Sequence, residues 1–249
     1  MGQVIRKPPG KPYTVAIVPT KLTSIRVPRK NIADLGGQPL FHFSVRAAKL
    51  VDEIDHVFVS SEDDDVLRQS ARLGAETIKR PEELCGPEVT NLEVVVHALA
   101  TIDARYGVRP ELVVLLQPTH PFRRPSDIRR GLAEISRDEK ADCLFSVIRT
   151  DELRGRIEQD RYIPEFPLPR NKHEEPACYR NTGSFYIFRV TRTLDHGRLF
   201  GNAIVPLRLD RAEFEIDIDT DSDLALARCL LEALREEVEE LGLIDRRSP

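Results

Sequence analysis

No two cysteines in this sequence stand close enough to form a metal clip. Cys85, Cys143, Cys178 and Cys229 are far apart, with no C-x-x-C among them. That argues against a zinc site and gives no disulfide framework. The six histidines show no H-x-x-x-H or similar ligand spacing. Long apolar runs are missing too. The basic, proline-containing opening MGQVIRKPPGKPYT leads into only a short one, so it reads neither as a signal peptide nor as a membrane span. A cytoplasmic protein without a membrane partner is expected. There is no excess of positive charge, since 37 Lys and Arg against 41 Asp and Glu leave a net −4. Nothing therefore suggests a broad nucleic-acid-binding surface. Internal repeats and low-complexity segments are absent as well.

What is present is a regular alternation of apolar runs and amphipathic stretches. The chain has 249 residues, enough for one large α/β domain or a domain with an appendage. Strands are expected at TVAIVPT (14–20), HVFVSS (56–61), AETIKR (75–80), LVVLLQP (112–118) and ADCLFSVIR (141–149). Between them, helices are expected over 40–53, 62–74, about 91–105 and 126–138. LVVLLQP is almost wholly apolar, as a central parallel strand covered on both faces must be. The alternation predicts a doubly wound, mostly parallel α/β sheet, whose ligands bind beyond the carboxyl ends of the strands. The pattern breaks over 150–180, a polar stretch with Pro164, Pro167, Pro169 and Pro176 that reads as an inserted arm. GSFYIF, NAIVPLRL and FEIDID then return as strands, and 223–241 forms a last amphipathic helix. The expected organisation is a tail over 1–12, a core over 13–149, the arm over 150–180, and the rest of the core over 181–244.

Three clusters carry chemistry. PTKLTSIRVPRKN (19–31) puts Lys21, Arg26, Arg29 and Lys30 at the end of the first strand. Cations and turn amides there suit a polyphosphate; a solvated basic loop is the plain alternative. LLQPTHPFR (115–123) places Gln117 where the central strand ends, reaching into a cleft or satisfying loop amides. His120 can face the same cleft and is assigned no role. EIDIDTDSD (215–223) has an acidic side chain at every second position, and like charges on one strand face are destabilising. Thr220 and Asp223 fit a capping box, with Asp221 in the first helical turn. Glu215 is expected to be exposed. Asp217 and Asp219 remain, on one face with Cα atoms roughly 6.6–6.8 Å apart on an ideal strand. Two such carboxylates can share a Mg²⁺, a hard cation usually held by one or two carboxylates plus substrate phosphates; an exposed acidic edge is the alternative.

Taken in order, the loop ending VPRKN, KRPEEL (79–84), LLQPTHP, and the pair YRNTGSFYI (179–187) and EIDIDTDSDL (215–224) resemble the acylneuraminate cytidylyltransferases. These enzymes make CMP-activated nonulosonic acids such as sialic, legionaminic and pseudaminic acid. The resemblance spans about residues 13–230. It implies a Rossmann-like nucleotidyltransferase in which the anomeric hydroxyl of a 2-keto-3-deoxy sugar acid attacks the α-phosphate of CTP. The protein's part in such chemistry is positioning and charge neutralisation. By the resemblance, Lys21, Ser24, Lys30 and Asn31 belong to the nucleotide loop, and Arg80 and Asn91 to further nucleotide contacts; Arg26 of the same basic loop is expected to hold the triphosphate with Lys21 and Lys30. Gln117 and Arg180 fall on sugar-acid contacts, and Asp217 and Asp219 on the Mg²⁺ ligands. The arm implies a homodimer, with Lys172 and His173 serving the neighbouring site. Lys21, Lys30 and Asp217 carry the catalytic expectation; no general base is assigned.

The loop departs from the family pattern R-x-G-S-K-R-I-P-x-K-N. Lys21 replaces an arginine, Thr23 a glycine and Ile25 a lysine, Thr182 stands for an asparagine, and His120 for the serine of Q-P-T-S-P. Lysine lacks arginine's bidentate fork to phosphate. A β-branched Thr23 tolerates less of the turn space that a glycine opens. Three rivals stay open: a nucleotidyltransferase with another nucleotide or acceptor, a D-x-D glycosyltransferase using Asp217 and Asp219, and a non-catalytic paralogue that binds a nucleotide-sugar.

Overall fold

The computed structural model describes residues 11–23, 28–152, 154–166 and 178–246. Ser24, Arg26, Lys172 and His173 lie outside these ranges. The first half winds as β1 (Thr14–Pro19), a small β2–β3 hairpin (Asp34–Leu35, Gln38–Pro39), α1 (Leu40–Lys49), β4 (His56–Ser61), α2 (Asp64–Arg72) and β5 (Glu76–Lys79). Then come α3 (Asn91–Tyr106), β6 (Leu112–Leu115), α4 (Pro125–Arg137), β7 (Cys143–Thr150) and a β8–β9 hairpin (Gly155–Glu158, Arg161–Pro164). The chain closes with β10 (Cys178–Arg189), β11 (Ile204–Arg208), α5 (Asp221–Ala233) and α6 (Arg235–Glu240).

Among the described residues, seven strands form one sheet in the order β11-β7-β10-β6-β1-β4-β5. All neighbours pair parallel except β10, which runs antiparallel to both β6 and β7. The sheet is the doubly wound, mostly parallel α/β sheet expected from the sequence. Successive strand residues point to opposite faces, and the core divides accordingly. Ala16, Val18, Val57, Val59 and Val114 pack with α1, α2, α4 and α5 on one face. Val15, Ile17, Phe58, Val113 and Leu115 pack on the other with Val95, Ala98, Leu99 and Ile102 of α3.

Helix starts follow local chemistry. Asp63 caps α2 by accepting from the amides of Asp65 and Val66. Thr90 and Glu93 form a capping box on α3, and Thr220 and Asp223 another on α5. Each satisfies amides that the helix leaves without partners.

Three expectations need correction. FEIDID is no strand. Ala212–Phe214 make a single 3-10 turn, and 215–219 belong to no ladder. Ile216 and Ile218 are nonetheless buried and Asp217 exposed, so burial alternates without a pairing strand. The last helix starts at Asp221 and breaks at Leu234 into α5 and α6. Residues 178–180, assigned to the arm, are the first of β10, and what is described of the arm is chiefly the β8–β9 hairpin.

Arg123 is the largest of the fully buried side chains. Its Nε donates to the Ser184 carbonyl of β10 at 2.5 Å, Nη1 to Ser44 Oγ of α1 at 3.0 Å, and Nη2 to the Gln117 carbonyl at 2.9 Å. One guanidinium thus ties the loop after β6 to a helix and a neighbouring strand. Burial pulls its pKa down to about 9, and the carboxylate of Glu215 opposes that shift. Removing the guanidinium leaves these buried acceptors without their donor, at a cost of about 1–3 kcal/mol for each left unsatisfied. Arg123→Met is therefore expected to lower the denaturant midpoint by an equivalent amount at unchanged slope. Arg123→Met combined with Glu215→Gln should lose less than the sum of the two single losses; strict additivity would mean the pair is not coupled.

Candidate functional site

A cleft opens where β1 and β6 end, the position at which open α/β sheets bind ligands. Six of the expected residues line it together: Lys21, Lys30, Asn31, Arg80, Asn91 and Gln117. Arg180 is not among the lining residues; it sits on β10 opposite Ile148, with its charge acting on Glu215. Asp217 and Asp219 stand at the rim, tied to it through Thr119 and Lys30. The Ile218 amide donates to the Thr119 carbonyl at 2.9 Å, and Lys30 Nζ reaches Asp219 Oδ1 at 2.7 Å.

The basic loop is held by tethers across the cleft. Asn31 Nδ2 donates to the Lys21 carbonyl at 2.9 Å, and Lys21 Nζ to the Gly86 carbonyl at 3.3 Å. The Thr23 hydroxyl donates to the Cys85 carbonyl, and the Leu22 amide to Glu62 Oε1 at 2.7 Å. Among the described residues of the loop, positive φ falls on Arg29, at 56°. Thr23 is thus not asked for the backbone conformation that favours glycine, and its hydroxyl makes a tether that glycine cannot.

Arg80 follows β5 and is buried, with Nη2 on the Ser60 carbonyl at 2.8 Å and Nε on Ser60 Oγ at 3.2 Å. Burial lowers its pKa, and Glu62 works against that. Asn91 opens α3, whose first turn faces the cleft with its partial positive charge. Lysines, an arginine and a helix start therefore converge on one cleft, a surrounding matched to a polyphosphate.

The five carboxylates of 215–223 each meet a different answer. Burial pushes the Glu215 carboxyl up, while a hydrogen bond from Thr182 and the charge of Arg123 pull it back. Glu215 is thus half-buried, where exposure was expected, and its charge acts on Arg123. Asp217 Oδ1 lies 3.7 Å from Nδ1 of His120, and Asp219 pairs with Lys30. Asp221 stands in the first turn of α5, and Asp223 accepts from the Thr220 hydroxyl and from the amides of Asp219 and Thr220.

Sequence reasoning placed His120 at the cleft without a role, expected Glu215 to be exposed, and did not single out Arg123. The only signal was a histidine at the end of a strand otherwise made for a core. The ring of His120 is buried, and its Nε2 lies 2.7 Å from the Thr182 carbonyl. A carbonyl oxygen only accepts, so Nε2 carries the hydrogen. Burial lowers the pKa of His120 to about 4, against the pull of Asp217.

Asp217 is half exposed at the rim of a cationic cleft, and two carboxylates beside a phosphate site suit a hard divalent cation. Among the described residues no three His, Cys, Asp or Glu side chains converge as a ready metal cage. A cation held here would complete its shell with substrate oxygens and water, as Mg²⁺ commonly does.

The sequence model of the family described as cytidylyltransferase matches residues 15–241. A CMP-N,N'-diacetyllegionaminic acid synthase of Legionella pneumophila is 27% identical, the alignment covering 89% of this chain and 97% of that protein. An N-acylneuraminate cytidylyltransferase of Escherichia coli is 28% identical over 86% of this chain but 51% of its own length, so the chain spans about half of that relative. A 3-deoxy-manno-octulosonate cytidylyltransferase of Anaeromyxobacter dehalogenans is 29% identical, with 89% and 98% covered. Among solved structures, a CMP:2-keto-3-deoxy-manno-octonic acid synthetase complexed with CTP superposes with a TM-score of 0.66 at 16% identity, covering 89% of this chain and 99% of that one. At that identity the likeness is one of fold.

The tautomer and burial of His120 set a pH dependence. Its native pKa of about 4 lies below the ordinary 6.5, so between those values the unfolded chain binds a proton that the native chain does not. The stability contributed is complete above the unfolded pKa and falls as pH drops toward the folded one. Thermal melts in chelator between pH about 7.5 and about 4.5 should show a larger loss of Tm for the native chain than for His120→Gln. Equal losses would mean that the buried ring takes up its proton without resistance.

Proposed function

The chain belongs to the cytidylyltransferase family, and on that footing we propose that it transfers CMP from CTP to the anomeric hydroxyl of a nonulosonic or related 2-keto-3-deoxy sugar acid, releasing pyrophosphate. The observation that carries this reading is the convergence of Lys21, Lys30, Asn31, Arg80, Asn91 and Gln117 on one cleft, with Asp217 and Asp219 at its rim. The relatives named above support the substrate class, since their names specify CMP transfer to legionaminic, N-acylneuraminic or 3-deoxy-manno-octulosonic acid.

In this reading the sugar hydroxyl oxygen attacks the α-phosphorus and gives up its proton to water, the bond from that phosphorus to the bridging oxygen breaks, and pyrophosphate departs with the electron pair. Lys21 and Lys30 neutralise the triphosphate as point charges, and Arg26 belongs to the same loop. Asn31 holds the loop's shape through the Lys21 carbonyl. Arg80 and the α3 terminus set the nucleotide, while Gln117 and Arg180 orient the acid. Asp217 and Asp219 are the groups that would hold Mg²⁺, which supplies positive charge against the phosphate oxygens when bound.

A homodimer through the arm belongs to the same reading. Support comes from exposed apolar side chains on and beside the hairpin, namely Ile157, Tyr162, Phe166 and Tyr179. Sedimentation should give twice the mass of the chain, and a monomer at micromolar concentration would remove that part of the reading.

The reaction is tested by pyrophosphate release with Mg²⁺, offering each of the four nucleoside triphosphates against a panel of keto-deoxy sugar acids. Release is expected with CTP and one acid, and Asp217→Asn should lower the rate at least about 100-fold. No pyrophosphate from any triphosphate, with a nucleoside diphosphate released instead from a nucleotide-sugar donor, would point to glycosyl transfer and end the proposal.

A further inference from the structure

We infer that His120 is a nitrogen ligand for the divalent cation at Asp217, so that this site takes borderline metals such as Mn²⁺ or Co²⁺ in preference to Mg²⁺. The inference rests on the reading of Asp217 as a metal-binding carboxylate and specifies the site further. Its first support is the tautomer. Nε2 donates to the Thr182 carbonyl at 2.7 Å, so in the neutral ring the lone pair belongs to Nδ1. That lone pair stands 3.7 Å from Asp217 Oδ1. A carboxylate and an imidazole lone pair repel one another, and a cation between them removes the conflict.

The spacing allows it. Two donors that each sit about 2.1 Å from a shared cation lie no more than about 4.2 Å apart, and 3.7 Å falls inside that limit. The surroundings of the ring also suit the role. A metal-bound histidine nearly always gives its other N–H to a carboxylate, a backbone carbonyl or water, which fixes both tautomer and orientation. The Thr182 carbonyl fills that position here. Gly183 packs against the ring so closely that a Cβ there would stand 3.0 Å from His120 Cε1. The hydroxyl of Thr119 approaches Nδ1 at 3.3 Å and can donate to it when no cation is present. Asp219 is held by Lys30, which leaves His120 and Asp217 as the preformed protein pair, with substrate oxygens and water completing the shell. Imidazole nitrogen suits Mn²⁺ and later first-row metals better than it suits Mg²⁺, which takes oxygen.

Mn²⁺ reports on this directly. The full chain, labelled with ¹⁵N-histidine, is mixed with Mn²⁺ and CTP without sugar acid and read by electron spin-echo envelope modulation. The expected result is bound Mn²⁺ showing ¹⁵N-imidazole coupling, and loss of that coupling in His120→Gln, whose amide can keep the bond to Thr182. Calorimetry should then show the preference for Mn²⁺ over Mg²⁺ falling at least about 10-fold in that variant. Bound Mn²⁺ that needs Asp217, being lost in Asp217→Asn, but shows no imidazole coupling would overturn the role of His120 and leave the carboxylate site standing. Mn²⁺ binding that is indifferent to Asp217→Asn, or absent with CTP, would overturn the carboxylate reading and this inference with it. Even if His120→Gln fails to fold, absence of the coupling in the unsubstituted chain overturns the inference, and His120→Asn then serves to assign a coupling that is present.

Discussion

A fully buried guanidinium is the constraint from which the site follows. Arg123 cannot be solvated, so each of its nitrogens has to find an acceptor inside the fold. Those acceptors are the Gln117 carbonyl, Ser44 of α1 and the Ser184 carbonyl of β10. Meeting them fixes where the chain travels after β6, and thus where Gln117, Thr119 and His120 emerge at the cleft. The charge also needs an opposite one, because an uncompensated buried ion is far more costly than an unpaired polar group. The opposite charge acting on it is that of Glu215, half-buried and off any strand ladder. The two residues that follow at every second position, Asp217 and Asp219, are carried by that anchor to the rim of the cleft.

The same anchor explains how five acidic side chains coexist over nine residues. On a paired strand they would share one face and repel. Off the ladder they separate: Glu215 accepts from Thr182 in the field of Arg123, Asp217 stands at the rim beside His120, Asp219 pairs with Lys30, Asp221 lies in the first turn of α5, and Asp223 joins the capping box with Thr220. Capping and cleft chemistry are joined, since Asp223 accepts from the amide of Asp219 as well as from Thr220. The helix start therefore holds one rim carboxylate by its backbone, while Arg123 holds the segment from the other end through Glu215.

How far the sequence discloses this depends on whether the relevant force is local. β1, β4 and β6 were legible because burial on both faces of a parallel sheet leaves continuous apolar runs. The capping box at Thr220 and Asp223 was legible because its spacing is local. Lys21, Lys30, Asn31, Arg80, Asn91 and Gln117 were expected at one site from ordered motifs, and they do line one cleft. FEIDID misled because alternation records burial, and Ile216 and Ile218 are buried by packing without a ladder partner. Glu215 misled for a related reason: its partner Arg123 lies ninety-odd residues away in sequence, and no local pattern carries that separation. His120 was visible as a letter but not as a geometry, because only the carbonyl of Thr182 fixes which nitrogen faces Asp217.

In the structure both cleft lysines already hold a partner, and these partners are unequal rivals for phosphate. Lys21 donates to a neutral carbonyl at 3.3 Å, whereas Lys30 sits 2.7 Å from a carboxylate. Charge-assisted bonds are roughly twice as strong as neutral ones, so on the proposed reading Lys21 turns to an incoming triphosphate at less cost. Lys30 faces a real competition, and its transfer to phosphate removes a positive charge from beside Asp219. Asp219 then attracts a divalent cation more strongly than before. By reciprocity, a cation at the rim loosens Lys30 and strengthens its pull on phosphate. On the proposed reading the Lys30–Asp219 salt bridge therefore makes nucleotide and metal binding mutually reinforcing, with residues already in place.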